Sequence, residues 1–204
     1  MQVANERNIR HLSLEEITDF FESMGEKKFR AKQVYEWLWQ KHAHSFADMT
    51  NLSKELRQKL GETFTLPALA VDATQYSADG TVKSRFRTHE GHLVEGVLIP
   101  TDERKTACVS SQIGCSLSCK FCATGYIDRK RNLNYDEIYD EVVLINQQSE
   151  RVYEKKLTNI VFMGMGEPLL NYKNVLKAIE KITSPDGLGM SPRRITVSTA
   201  GVAK

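Results

Sequence analysis

The sequence predicts an α/β fold, and three changes of texture along the 204 residues predict it. Residues 1–66 place apolar side chains at helical spacing, residues 67–103 alternate in the manner of strands around turn signals, and residues 104–204 repeat a strand, a loop and a helix. The last pattern implies parallel βα units. A small helical domain (1–66) and a small antiparallel β module (67–103) are therefore expected before a run of βα units (104–204).

The helical part opens at Ser13-Leu-Glu-Glu16. This is a capping box, in which the serine hydroxyl and the glutamate carboxylate take up backbone N–H groups that have no partner at a helix start. Leu14, Ile17, Phe20, Phe21 and Met24 give that helix an apolar face, and Gly25 ends it. A second helix is expected from Phe29 to Lys41, with Val34, Trp37, Leu38 and Lys41 at helical spacing. A third follows Ser53 through Leu56 and Leu60. Trp37 and Trp39 are assigned to packing, because helix aromatics usually fill cores.

Pro67 closes this part. Ala78-Asp79-Gly80 and His89-Glu90-Gly91-His92 then read as turns joining short strands such as Val82–Arg87 and Leu93–Ile99. His89 and His92 have a spacing open to a metal, but solvated turn histidines are the commoner case. After Pro100, a strand is expected over Ala107–Ile113 and a helix from Asn134 to Gln148. A strand over Leu157–Met163, a helix over Tyr172–Ile182 and a strand over Ile195–Thr199 follow.

With 41% hydrophobic residues the chain buries a core, and no apolar run approaches the roughly 18 residues of a membrane span. The opening decapeptide has no apolar signal region, so a soluble cytoplasmic location is expected. Net charge is only +2, which does not by itself announce a nucleic-acid binder. Its distribution is uneven, for residues 105–134 hold five basic side chains against one acidic, and Arg129-Lys130-Arg131 lies among them. Such a run either meets an anionic surface or forms a solvated turn.

Three of the four cysteines, Cys115, Cys119 and Cys122, fall within eight residues. Three thiolates on one short loop suit an iron–sulfur cluster, whose usual complement is four, so one iron could stay open. Structural zinc completed by a remote His or Asp fits the same spacing. A disulfide scaffold fits less well, because such scaffolds belong to small secreted chains. At the carboxyl end of a first parallel strand, the loop would stand where α/β folds place their chemistry. Cys108, seven residues earlier, reads on its own as a buried strand cysteine, and Glu95 as an exposed strand glutamate.

The string Cys108-Val-Ser-Ser-Gln-Ile-Gly-Cys-Ser-Leu-Ser-Cys-Lys-Phe-Cys-Ala-Thr-Gly125 is one of three that carry a resemblance. With Phe162-Met-Gly-Met-Gly-Glu-Pro-Leu-Leu-Asn171 and Ile195-Thr-Val-Ser-Thr-Ala-Gly201, it closely resembles the radical S-adenosylmethionine RNA methyltransferases that act on adenine carbon 2. The likeness extends to the helical opening at Phe29–Leu38. It implies that the βα units are the first part of a partial (β/α) radical S-adenosylmethionine barrel, preceded by an RNA-binding accessory domain. It further implies that Cys115, Cys119 and Cys122 hold three irons of a 4Fe-4S cluster whose fourth iron chelates S-adenosylmethionine. An electron from a donor such as a flavodoxin would then cleave that cofactor to a 5'-deoxyadenosyl radical. Such reactivity suits an aromatic adenine carbon, which is a poor nucleophile.

By the same resemblance, Gly166, Glu167 and Ser198 contact the cofactor, the Glu167 carboxylate being suited to an ammonium. Glu95 is the proton acceptor. Cys108 resolves a covalent protein–RNA intermediate, in a disulfide with a methyl-carrying cysteine near the carboxyl terminus. The implied partners are large-subunit ribosomal RNA and transfer RNA, with Arg129–Arg131, Lys27, Lys28, Arg30 and Lys32 as phosphate contacts. No cysteine follows Cys122 and only three parallel strands are foreseen, so the chain reads as an amino-terminal fragment with an exposed sheet edge, expected to be inactive alone. Relatives that methylate adenine carbon 8 share the triad, and a non-catalytic iron–sulfur or zinc module also remains open.

Overall fold

The computed structural model describes residues 7–202, so most of the opening segment read for a signal lies outside the described residues. Two compact units emerge, one built from the residues up to Pro67 with Pro185–Leu188, the other from Ala68–Ser184 with the residues from Gly189 onward.

The first unit is helical, with α1 at Leu14–Ser23, α2 at Phe29–Trp39 and α3 at Lys54–Thr63. The Ser13 capping box forms as expected, with Ser13 Oγ accepting from the Glu16 amide and the Glu16 carboxylate accepting from the Ser13 amide. Ile17, Phe21, Ala31, Val34, Leu38, Trp39, Leu56 and Leu60 make the core. Trp39 is buried, but Trp37 is only half-buried. Its indole N–H donates to Asn51 Oδ1 at 2.6 Å, and the Lys41 ammonium lies over its ring.

The second unit is organised by one six-stranded sheet in the order β1-β2-β3-β4-β7-β8. Its strands are β1 (Ala70–Tyr76), β2 (Val82–Arg87), β3 (Leu93–Pro100), β4 (Lys105–Cys108), β7 (Asn159–Phe162) and β8 (Ile195–Val197). A separate two-stranded ribbon pairs β5 (Gln112–Ile113) with β6 (Arg131–Asn132). Strands β1, β2, β3 and β4 pair antiparallel in succession, whereas β4, β7 and β8 run parallel. The antiparallel hairpins are thus continuous with the parallel strands in one sheet. Hydrophobic alternation reports which face of a strand is buried, not which strand it pairs with.

Helices α4 (Tyr135–Tyr153) and α5 (Tyr172–Thr183) supply the βα crossovers. Val82, Phe86, Val94, Leu98, Ala107 and Ile160 of the sheet are fully buried, as are Ile138, Val142 and Ile145 of α4. A Cβ on Gly96 would stand 2.8 Å from Phe86 Cε2 and 2.9 Å from Ile145 Cδ1, which shows how closely α4 lies on β3. Residues of opposite parity, Lys83, Arg85, Glu95 and Val97, project from the other face. An open apolar cleft of about 420 Å³ lies among Pro168, Leu169, Tyr172, Val175, Leu176 and Val197. No helix among the described residues is long and apolar enough to cross a membrane.

The expected strand over Ala107–Ile113 is interrupted. The Val109 amide still donates to the Val161 carbonyl at 2.9 Å, but the next amide, of Ser110, turns to the Glu141 carboxylate on α4 at 2.8 Å. Beyond it the Ser111 amide donates to the Met165 carbonyl at 2.8 Å, in the chain that continues β7, and Gln112–Ile113 pairs in the separate ribbon.

Truncating Leu98, fully buried on β3, is expected to cost about 2–5 kcal/mol. Urea unfolding of Leu98→Ala beside the wild-type chain measures this, with the midpoint falling and the slope unchanged.

Candidate metal and cofactor site

The loops that follow β4, β7 and β8 share one end of the parallel strands, and Cys115, Cys119, Cys122, Gly166, Glu167 and Ser198 lie on them. Cys115, Cys119 and Cys122 are half-buried free thiols on the loop after β5. The loop is folded by its own backbone. Cys115 N–H donates to the Ile127 carbonyl at 3.2 Å, Cys122 N–H to the Cys119 carbonyl at 3.1 Å, and Gly125 N–H to the Cys122 carbonyl at 2.9 Å. Ser118 adopts φ 50° at the bend between the first two cysteines. Gly114 sits at φ 75°, and a Cβ there would fall 2.3 Å from the Asp128 carbonyl oxygen, so glycine alone allows the loop to close on itself. Phe121, beside Cys122, is almost fully exposed at 94%.

Among the described residues no three His, Cys, Asp or Glu side chains converge on a single ion. Three free thiols around one tight loop fit the donor set of an iron–sulfur cluster, whose cysteines stand around a larger body than one ion.

The loop after β7 meets this region through Gln112. Gly166 has φ 93°, and a Cβ there would stand 2.5 Å from Gln112 Cβ. The next amide, of Glu167, donates to Gln112 Oε1 at 2.9 Å. Gln112 Nε2 donates to Asn132 Oδ1 at 2.6 Å, and Asn132 also receives Arg129 Nη2 at 2.9 Å. Glu167 itself is 3% exposed. Burial would raise its carboxyl, but hydrogen bonds from the Thr199 hydroxyl and the Ala200 and Leu169 amides outweigh that and hold it below the ordinary value. Ser198 is exposed, one residue past the end of β8.

Cys108 ends β4, opposite Val97 of β3 and Val161 of β7. Facing residues project from the same side of a sheet, so Cys108 shares the face of Val97 and Glu95. Burial pushes the Cys108 thiol up, an effect lessened by the Met163 amide and reinforced by Glu141, so it is held as a neutral thiol. Glu95 is half exposed and pairs with Lys83 Nζ at 2.9 Å. All four cysteines are free, so the disulfide implied by the resemblance is not formed within this chain. Cys108 ends a sheet strand, the other three occupy the loop, and the sequence has no later cysteine.

The basic run is also corrected. Arg131 forms a bidentate pair with Glu137, both contacts at 2.7 Å, and a further one with Glu90 at 2.8 Å, so it ties β6 to α4 and is not free for phosphate. The Glu137 hydrogen bonds raise its pKa further, the Glu90 pair adding to them against burial. Lys28 pairs with Glu22 at 3.2 Å, and Arg30 donates to Gln33 and to the Asn51 carbonyl. Lys130 remains exposed.

Three residues of consequence escaped the pattern reading. Ser110 donates its hydroxyl to the Glu95 carbonyl at 2.6 Å and accepts from the Met165 amide at 2.8 Å. Asn171 donates to the carbonyls of Ser111 and Leu133 at 2.7 and 2.8 Å. Glu141 is fully buried, its Oε2 accepting from Ser110 and its Oε1 without a partner among the described residues. Burial drives its carboxyl well above the ordinary 4.5, more strongly than the Ser110 amide lowers it, and Glu137 adds to the rise. No local pattern marks any of these, although a glutamate on the apolar face of α4 is a weak signal.

Comparison with known proteins bears on this arrangement. Residues 7–66 match the family model of the ribosomal RNA large subunit methyltransferase N-terminal domain, and residues 109–204 that of the radical SAM superfamily. A probable dual-specificity RNA methyltransferase RlmN of Cytophaga hutchinsonii is 62% identical over 96% of this chain and 54% of its own length. One from Flavobacterium psychrophilum is 58% identical over the whole chain and 58% of its own. The chain is thus similar along nearly its whole length to proteins named as dual-specificity RNA methyltransferases, and residues 109–204 carry the radical SAM pattern. A solved radical SAM methyltransferase from Sphaerobacter thermophilus superposes with a TM-score of 0.84 at 36% identity, over 96% of this chain and 57% of that one. The chain thus spans a little over half the length of these relatives.

Two outcomes are expected. Gly114→Ala should cost about 1–3 kcal/mol and sharply reduce iron uptake on reconstitution, because the added methyl meets backbone. Thermal unfolding and iron analysis check it. Glu141→Gln should change the pH dependence of stability. A folded pKa above the unfolded one contributes stability that is complete below about pH 4.5 and is lost as pH rises through the folded value. The melting temperature of the wild-type chain should therefore fall relative to the variant as pH rises from 4.5, as calorimetry across pH 4–9 would record.

Proposed function

We propose that this chain provides the cluster- and cofactor-binding part of an enzyme that methylates carbon 2 of a specific adenosine in large-subunit ribosomal RNA and in transfer RNA. The observation that carries this reading is the cysteine loop held beside the Gly166–Glu167 loop by Gln112, at the carboxyl ends of the parallel strands. The names of the relatives support the substrate class.

Cys115, Cys119 and Cys122 would hold a 4Fe-4S cluster, with S-adenosylmethionine bordered by Gly166, Glu167 and Ser198. When bound, that pair supplies one-electron cleavage of the cofactor, which ordinary side chains cannot provide. The protein contributes position. Half-burial of the thiols limits solvent at the loop, and the backbone bonds within it fix their spacing. Cys108 stands on the same sheet face as Glu95, held as a neutral thiol until its proton is taken. Glu95 is the proposed proton acceptor, with Lys83 fixing its carboxylate. Lys130 and the basic side chains of α2 are offered to RNA phosphate. A reducing cytoplasm suits four free thiols, and one-electron reduction of the cluster calls for a donor of the flavodoxin type.

Anaerobic reconstitution with iron and sulfide, beside a Cys119→Ala variant, tests this reading. A paramagnetic cluster signal that requires Cys119 and shifts on addition of S-adenosylmethionine is expected. Tight tetrahedral zinc with no iron in the folded chain would overturn it.

A further inference from the structure

Glu167 is the acidic residue of the loop after β7, and a carboxylate there invites the reading that it pairs with the cofactor's ammonium. Its surroundings give it other work. Glu167 Oε1 accepts from the Thr199 hydroxyl at 2.6 Å and from the Leu169 amide at 2.9 Å, and Oε2 accepts from the Ala200 amide at 2.8 Å. At 3% exposure the residue offers almost no surface to a ligand. The Thr199 hydroxyl also spends its one proton on Glu167, and its oxygen accepts from the Gly201 amide at 3.0 Å.

These bonds join two loops 32 residues apart in sequence, and they continue beyond them. The Glu167 amide is held by Gln112, Gln112 by Asn132, and Asn132 donates to the Leu170 carbonyl at 3.3 Å, back in the loop that follows Glu167. Three loops at one end of the parallel strands are thereby tied at one residue, the Glu167 carboxylate holding the turn after β8 and the Glu167 amide holding Gln112. Hydrogen bonds to a charged acceptor are stronger than neutral ones, so this is a stiff connection.

We propose that Glu167 and Thr199 form a latch that holds the turn after β8, and with it Ser198, against the Gly166 loop, so that Glu167 acts as a positioning residue and Thr199 as its partner. The proposal rests on the cofactor reading above for its consequence, but the latch belongs to the chain itself. Thr199 carries the clean test, since Thr199→Val keeps the shape and removes the hydroxyl, while Thr199→Ser restores it.

Hydrogen exchange on the cluster-free chain comes first. Peptides spanning Ser198–Gly201 should exchange about tenfold faster or more in Thr199→Val and in Glu167→Gln, and at the wild-type rate in Thr199→Ser, with β7 and α4 unaffected. Wild-type exchange in Thr199→Val would overturn the latch, and that variant settles the matter if Glu167→Gln does not fold.

Titration of the reconstituted chain with S-adenosylmethionine and with its analogue lacking the α-amino group comes second. The latch predicts that Thr199→Val weakens both ligands by the same factor, about tenfold, and that Thr199→Ser does not. If Thr199→Val leaves binding intact and the Glu167→Gln penalty vanishes with the analogue, Glu167 is the direct ammonium partner and the positioning role is wrong. A wild-type chain that binds neither ligand counts against the cofactor reading, and the latch is then judged by exchange.

Discussion

The functional end of the sheet is organised around Ser110, whose amide donates to a buried carboxyl from α4. Alternate amides of a strand point to opposite neighbours. On the β7 side Val109 and Ser111 keep donating to the Val161 and Met165 carbonyls, while on the other side Glu141 takes the Ser110 amide. The same serine binds the Glu95 carbonyl and the Met165 amide through its hydroxyl, so the ends of β3 and β4 and the loop after β7 meet at one side chain. An ionised carboxylate buried in this way would cost several kcal/mol, and the raised pKa of Glu141 is the relief of that cost by proton retention.

Polar side chains do the same work elsewhere at this end of the sheet. Backbone groups leaving a parallel strand have no ladder to join and cannot be buried unsatisfied. Asn171 takes two carbonyls, Gln112 an amide, and Glu167 two amides and a hydroxyl. The result is a set of loops whose backbone groups are met by side chains of their own chain. Arg131 belongs with them. Its charge is spent on Glu137 and Glu90, which is why a basic cluster beside a site is poor evidence of phosphate binding until its partners are known.

Much of the fold was legible because it rests on local rules. The capping box at Ser13, the apolar stripe of α5 and the turn at Asp79-Gly80 each follow from spacing within a few residues. The cysteine loop was legible for the same reason, since a cluster needs several thiolates within reach of one another. Continuity of the hairpins with the parallel strands was not, because alternation carries no record of a strand's neighbour. The half-exposed Trp37 shows the same limit, its indole finding Asn51 where helical spacing alone assigned it to the core.

The sequence by itself determined most of the elements, the clustering of three thiols and the likeness to radical SAM methyltransferases, all of which depend on side-chain chemistry read in order along the chain. Tertiary structure alone decided where β4 ends, which charges near the cysteines are free, and that Glu167 is surrounded by donors from its own chain. Each of those depends on residues dozens of positions apart arriving within hydrogen-bond distance. Such bonds act only within about 3 Å, and separation along the chain does not report separation in space.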